Sequence, residues 1–79
     1  MKTLKDVYDH HRQAAEAALR RAEGWTQTAT TTANAVRADA FRRCAHESLA
    51  EAGVHAQAAL AIEPFLPSAP ATPAVAIAA

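Results

Sequence analysis

Residues 4–25, LKDVYDHHRQAAEAALRRAEGW, decide the fold that the sequence predicts. They are mostly strong helix formers, and no proline interrupts them. Small and apolar side chains recur in alternating steps of four and three residues, at Leu4, Tyr8, His11, Ala15, Ala18, Ala22 and Trp25. This spacing is typical of a heptad seam that faces another helix. We therefore predict a first helix that ends at Gly24, as a left-handed C′ residue, and begins at Thr3 as N-cap, with Asp6 as its capping-box partner.

A second helix is predicted from about residue 33 to residue 63. The threonine-rich segment 26–32 before it is β-branched and uncharged, which favours a connection or a frayed helix start, with Thr32 or Asn34 as the cap. The second seam follows the same four-three steps through Phe41, Ala45, Ser48, Ala52, His55, Ala59 and Ile62. Its apolar stripe is widened on one side by Leu49, Ala56 and Leu60.

Gly53 lies in the middle of this second helix and leaves two alternatives open. Glycine is unfavourable inside a helix by roughly 1 kcal/mol relative to alanine. Either the helix breaks at Gly53 and a third short helix follows, or the helix is continuous and another backbone approaches closely there. The second alternative is the one that we favour.

The C-terminal end differs from both helices in composition. All four prolines, at positions 64, 67, 70 and 73, recur every three residues, which matches the repeat of a polyproline II helix. We therefore predict an all-α protein, an antiparallel two-helix hairpin over residues 1–66 with an extended proline-spaced tail over residues 67–79.

The apolar composition indicates that this hairpin needs a partner surface. Of the 79 residues, 40 are apolar, but 23 of these are alanine and 16 are larger hydrophobic residues, with Cys44 completing the count. Two helices joined by small side chains bury little area, so association into a four-helix bundle or docking onto a larger protein is expected. The predicted self-association or partner seam comprises Leu4, Tyr8, His11, Ala15, Ala18, Trp25, Phe41, Ala45, Leu49, Ala52, His55, Ala59 and Ile62.

Catalytic and metal sites are not predicted. The sequence contains no glycine-rich phosphate loop, His-Glu-x-x-His motif or nucleophile elbow, so we expect no enzyme activity. The residues with metal-binding potential are His10, His11, His46, His55 and Cys44. Their spacing does not place four metal ligands together. In one register of the hairpin, His11 approaches Ser48 or His46. We therefore expect seam or surface histidines, no metal and no cofactor.

The net charge of zero conceals an uneven distribution along the chain. Residues 20–43 carry five arginines against Glu23 and Asp39, a net charge of +3, whereas residues 44–79 carry three glutamates, a net charge of −3. The arginines that are candidates for phosphate contacts are Arg20, Arg21, Arg37, Arg42 and Arg43. A basic turn end beside Trp25 can bind nucleic acid, but a solvated surface that orients partner subunits is the preferred interpretation.

Residues 44–61, CAHESLAEAGVHAQAALA, resemble the second helix of small alanine-rich proteins of high-GC actinobacteria and their phages. In those proteins a first helix bearing Tyr or His precedes a stretch of the form A-x-V-H-A-x-x-A-L-A. The resemblance covers about half of the chain and implies an origin rather than an activity. It favours a phage or mobile-element accessory protein, or a small virion component.

Taken together, these patterns predict a non-enzymatic interaction protein that self-associates or docks on a larger assembly. The tail is expected to serve as a docking arm through Pro64, Pro67, Pro70, Pro73, Val75 and Ile77. Two alternatives stay open, a phage-type inhibitor that masks a host protein and a weak nucleic-acid binder. Since the chain shows neither a secretory leader nor a long apolar run, a cytoplasmic or virion-associated location is expected.

Overall fold

The protein is a hairpin of two long helices. The computed structural model describes residues 3–67. Helix α1 spans Leu4–Thr31 and helix α2 spans Ala35–Ile62, each with 28 residues, and a short 3-10 helix follows at Glu63–Phe65. The helices run antiparallel. The first turns of α1 contact the last turns of α2, and residues near the end of α1 pack beside the first turns of α2. The predicted all-α hairpin is confirmed.

Helix α1 begins with the capping box that the sequence predicts. The Thr3 hydroxyl accepts a hydrogen bond from the Asp6 backbone N–H at 3.1 Å, and the Asp6 carboxylate accepts one from the Thr3 N–H at 3.2 Å. Two backbone N–H groups that have no partner within the helix are thereby satisfied, and the carboxylate lies at the positive end of the helix dipole.

The predicted end of α1 at Gly24 is wrong. The helix continues for seven more residues, and no residue of the described chain has a positive φ. The threonines at positions 26, 28, 30 and 31 form helix rather than a connection. Their hydroxyls donate to backbone carbonyls one turn earlier, for example Thr28 Oγ1 to the Gly24 carbonyl at 2.9 Å and Thr30 Oγ1 to that of Thr26 at 2.9 Å. The polar side chains are thus satisfied on the helix itself, and packing of Ala29, which is buried, outweighs the weak local preference of threonine.

The connection between the helices is three residues long, Thr32, Ala33 and Asn34. Asn34, one of the two predicted caps, is the N-cap of α2, and its side-chain oxygen accepts a hydrogen bond from the Arg37 N–H at 3.0 Å. Thr32 instead closes α1, where its backbone N–H donates to the Ala29 carbonyl at 3.3 Å. A connection this short holds the helices side by side.

Helix α2 passes through Gly53 without a break, so no third helix starts there. The predicted close approach of another backbone at Gly53 is wrong for the hairpin, because a Cβ atom built on this residue would meet nothing within 4 Å. Helix α1 therefore does not approach the backbone of α2 at this residue.

The end of α2 corrects one prediction for the tail. Pro64 occupies the first turn of the 3-10 helix, where its fixed φ and missing N–H are tolerated, and does not belong to an extended polyproline segment. Pro67 is exposed, whereas Pro70, Pro73, Val75 and Ile77 lie outside the described residues. Over residues 3–67, neither long helix is apolar over enough of its length to cross a membrane.

Replacing Gly24 with alanine is expected to raise the free energy of unfolding by about 1 kcal/mol, because the residue is inside a helix, with open space around it. Chemical unfolding followed by circular dichroism measures this change. A loss of stability would instead indicate that Gly24 has the left-handed conformation of a helix end, in which a side chain is strained.

Candidate interaction surfaces

The contact between the two helices consists of small side chains. Among the described residues, the buried positions are eight alanines and one serine: Ala15, Ala18, Ala22, Ala29, Ala38, Ala45, Ala52, Ala59 and Ser48. None of the larger hydrophobic side chains of residues 3–67 is fully buried. Alanine lets the helix axes approach closely, but each side chain removes little apolar area from water. The interface therefore defines the geometry of the hairpin more than it stabilises it.

The larger apolar side chains lie at the edges of this contact or outside it. Those that remain exposed are Leu4, Leu19, Trp25, Val36, Leu49, Val54, Leu60 and Phe65. Scattered exposed hydrophobic residues are common, but exposure of so many beside a core made of alanine is not, since most proteins bury Leu, Val and Phe in preference to Ala.

The structure divides the predicted seam into three groups. Its alanines at positions 15, 18, 45, 52 and 59 are buried, as the heptad spacing indicates. Half-buried positions are Tyr8, His11, Phe41, His55 and Ile62, and exposed positions are Leu4, Trp25 and Leu49. The sequence reasoning omitted Ala29 and Ala38, both buried. Ala29 continues the spacing of Ala15, Ala18 and Ala22 by a further seven residues, a signal that was hidden by the surrounding threonines.

One face of the hairpin is lined by leucines. We define the leucine face as Leu19, Leu49, Ala56 and Leu60, which line shallow grooves between α1 and α2. Leu19 borders the groove at the open end of the hairpin together with Ala56 and Leu60, and it shares the next groove with Leu49. Leu49 and Leu60 are 48% and 64% exposed, so the hairpin itself does not cover this face.

Trp25 and Phe41 form an aromatic contact between the two helices near the turn. Their rings are stacked, with centroids 5.5 Å apart and planes inclined by 15°. Phe41 is half-buried and Trp25 is 36% exposed, so the pair closes the alanine core at this end. Such pairs contribute about 0.5–1.5 kcal/mol beyond the area that they bury.

Three histidines cluster at the open end of the hairpin. The Nδ1 atoms of His11 and His55 are 2.9 Å apart, and the ring of His10 lies edge-on to both at centroid distances of 5.3 and 6.2 Å. A hydrogen bond between two Nδ1 atoms needs one ring to donate and the other to accept. The structure thus pairs His11 with His55 and not with Ser48 or His46. Within residues 3–67, no group of three or more His, Cys, Asp or Glu side chains is arranged to hold a metal ion.

The five arginines of the turn end do not form one patch. Arg21 pairs with Glu51 on the other helix at 2.8 Å, and Arg42 pairs with Asp39 at 3.2 Å. Arg21 borders a shallow depression with Gly24 and Trp25, whereas Arg42 borders a groove with Leu49, on another side of the hairpin. Arg20, Arg37 and Arg43 are exposed. Two of the five positive charges are thus partly neutralised, and the arrangement does not favour a single phosphate-binding surface.

Comparisons of this chain with protein-family models, with curated protein sequences and with solved structures found no match.

Proposed function

We propose that the protein is a non-enzymatic helical interaction module that self-associates or docks as a small subunit on a larger assembly. The observation that carries this proposal is the composition of its core, in which alanine is buried while leucine, valine and phenylalanine are left exposed. Covering these side chains with another protein surface supplies the apolar burial that the hairpin lacks.

The proposal also covers the kind of assembly and the part of the chain that docks on it. The resemblance of residues 44–61 to small helical proteins of actinobacteria and their phages supports a small accessory or virion-type subunit. We propose that residues 67–79 add a docking arm, since proline at every third position and the absence of charge in that segment suit an extended peptide ligand.

The proposal is tested by the size of the species that contains the chain. In a lysate of the cells that produce it, detected by an antibody against the untagged protein, the chain is expected to sediment well above its monomer mass of 8.3 kDa. A chain that sediments as a folded monomer both in that lysate and when purified at micromolar concentration contradicts the proposal.

Removal of residues 67–79 tests the arm separately. We expect the shortened chain to keep the helical circular dichroism signal of the full chain, because both helices end before Pro67. It is expected to lose its place in any assembly larger than a dimer. A shortened chain that still enters the assembly with the affinity of the full chain would show that the tail does not dock.

A further inference from the structure

We infer that α2 carries a second interaction seam, which binds a second copy of this chain in antiparallel orientation. This inference rests on the proposed function and names the partner of the leucine face. The seam, here called the outer seam, consists of Arg42, His46, Leu49, Gly53, Ala56, Leu60 and Glu63. These residues follow one another in alternating steps of four and three, and all are exposed in the hairpin.

The outer seam is distinct from the contact that holds the hairpin together. The inner contact uses Ala45, Ser48, Ala52 and Ala59, which face α1 and are buried. The outer seam is displaced from it by about one residue, so it occupies the adjacent strip of the same helix. Leu49 and Leu60, which lie on either side of its centre, belong to the leucine face and are largely exposed. A helix with two parallel heptad strips is suited to a bundle of more than two helices.

The order of residues along the outer seam is self-complementary when two copies run in opposite directions. In the register that aligns the leucines, Leu49 lies opposite the partner's Leu60 and Gly53 lies opposite the partner's Ala56. His46 then lies opposite the partner's Glu63. By two-fold symmetry every layer occurs twice, as in an isologous interface.

Charge selects this orientation over the parallel one. Arg42 and His46 stand at the turn end of the seam and Glu63 stands at the open end. Antiparallel packing brings the basic end of each hairpin to the acidic end of the other, whereas parallel packing would place Glu63 beside the partner's Glu63. The net charges of +3 in residues 20–43 and −3 in residues 44–79 act in the same direction.

Gly53 adds an independent argument. Glycine is among the least favourable residues inside a helix, and a Cβ atom at Gly53 meets nothing in the hairpin. In the antiparallel register this glycine faces a partner alanine, so the two α2 helices can approach closely at the centre of the interface. Gly24 is equally open, but its neighbours one turn away are Arg20, Arg21, Gln27 and Thr28, which form no apolar strip.

The two glycines provide a matched pair of variants for the test. Sedimentation equilibrium of the full chain is expected to show a dimer that dissociates on dilution. Gly53→Ala is expected to weaken dimerisation about tenfold, because an added methyl group separates the helices, whereas Gly24→Ala leaves the dimer dissociation constant unchanged. Leu49→Glu is expected to give a monomer with unchanged helicity. The shortened chain that lacks residues 67–79 is expected to dimerise normally.

Orientation is tested by cross-linking in a Cys44→Ala background. Chains with Leu49→Cys mixed with chains with Leu60→Cys are expected to form the mixed disulfide faster than either forms a disulfide with itself. Faster self-pairing of the Leu49→Cys chain would show a parallel dimer and overturn the inference. Equal dissociation constants for the two glycine variants would also overturn it.

The outcome separates this inference from the proposed function. A purified chain that stays monomeric at all concentrations overturns the second copy as partner. If that monomer nevertheless enters a larger assembly in the lysate, and Leu49→Glu prevents this, the leucine face binds a different protein and the proposed function stands.

Discussion

Replacing Ala18 with leucine is expected to lower the free energy of unfolding by about 1–3 kcal/mol. Ala18 is the most deeply buried residue of the hairpin, with no exposed surface, and it lies at the centre of the contact between α1 and α2. Three additional carbon atoms at this position have no space unless the helices move apart. Their separation would also loosen the neighbouring alanine contacts, since the whole interface depends on short distances between the helix axes.

The matched control is Ala50→Leu. Ala50 is exposed on α2, and alanine and leucine have similar helix propensities, so this variant is expected to change stability by less than about 0.5 kcal/mol. Urea unfolding followed by circular dichroism measures both variants, at one fixed chain concentration because association makes the apparent stability depend on concentration. If the two leucines have the same effect, the alanine seam is not a close helix crossing.

Replacing Phe41 with alanine is expected to cost about 2 kcal/mol of stability. Full burial makes this substitution cost about 3–5 kcal/mol, and Phe41 is half-buried, so a smaller loss is expected. The variant removes the stacked ring that covers one side of Trp25. Because Trp25 is the only tryptophan, its fluorescence emission is expected to shift to longer wavelength as water reaches the indole.

Phe65→Ala makes the same chemical change at a residue that is 75% exposed. It is expected to leave both the unfolding free energy and the Trp25 emission nearly unchanged. A loss of stability at Phe65 as large as that at Phe41 would mean that the 3-10 helix, and not the Trp25–Phe41 stack, anchors the larger side chains. A double-mutant cycle, with each single replacement of Trp25 and Phe41 and the double replacement, measures the interaction free energy of the two rings. This energy is expected to be about 0.5–1.5 kcal/mol.

The sequence predicted several features of the fold through local chemistry. The capping box at Thr3 depends on residues three apart, and the cap at Asn34 depends on its own side chain and a backbone N–H nearby. Such contacts join residues within one helical turn, so the capping box could be predicted from spacing, whereas Asn34 was one of two caps that the sequence left open, with Thr32. The buried alanines at positions 15, 18, 45, 52 and 59 also follow from periodicity.

The candidate surfaces were predicted only in part. Leu49 was predicted to widen the apolar stripe and to join Ala45 and Ala52 in the interaction seam, but the structure leaves it 48% exposed on the leucine face. The difference arises because the apolar stripe is wider than one seam. The sequence alone does not determine which edge of such a stripe faces the neighbouring helix. Similarly, the pairing of His11 with His55 depends on the register of the hairpin.

The sequence by itself determined that this chain forms two alanine-seamed helices, that the first begins after Thr3 and that the two pair as an all-α hairpin. These properties come from caps, composition and period, which are local. Only the tertiary structure decided that α1 continues through Gly24 and the threonines, because packing of Ala29 outweighs the propensities of its neighbours. It also decided which apolar side chains stay outside, because the rotation of each helix about its axis is set by packing between the helices. The leucine face results from that rotation.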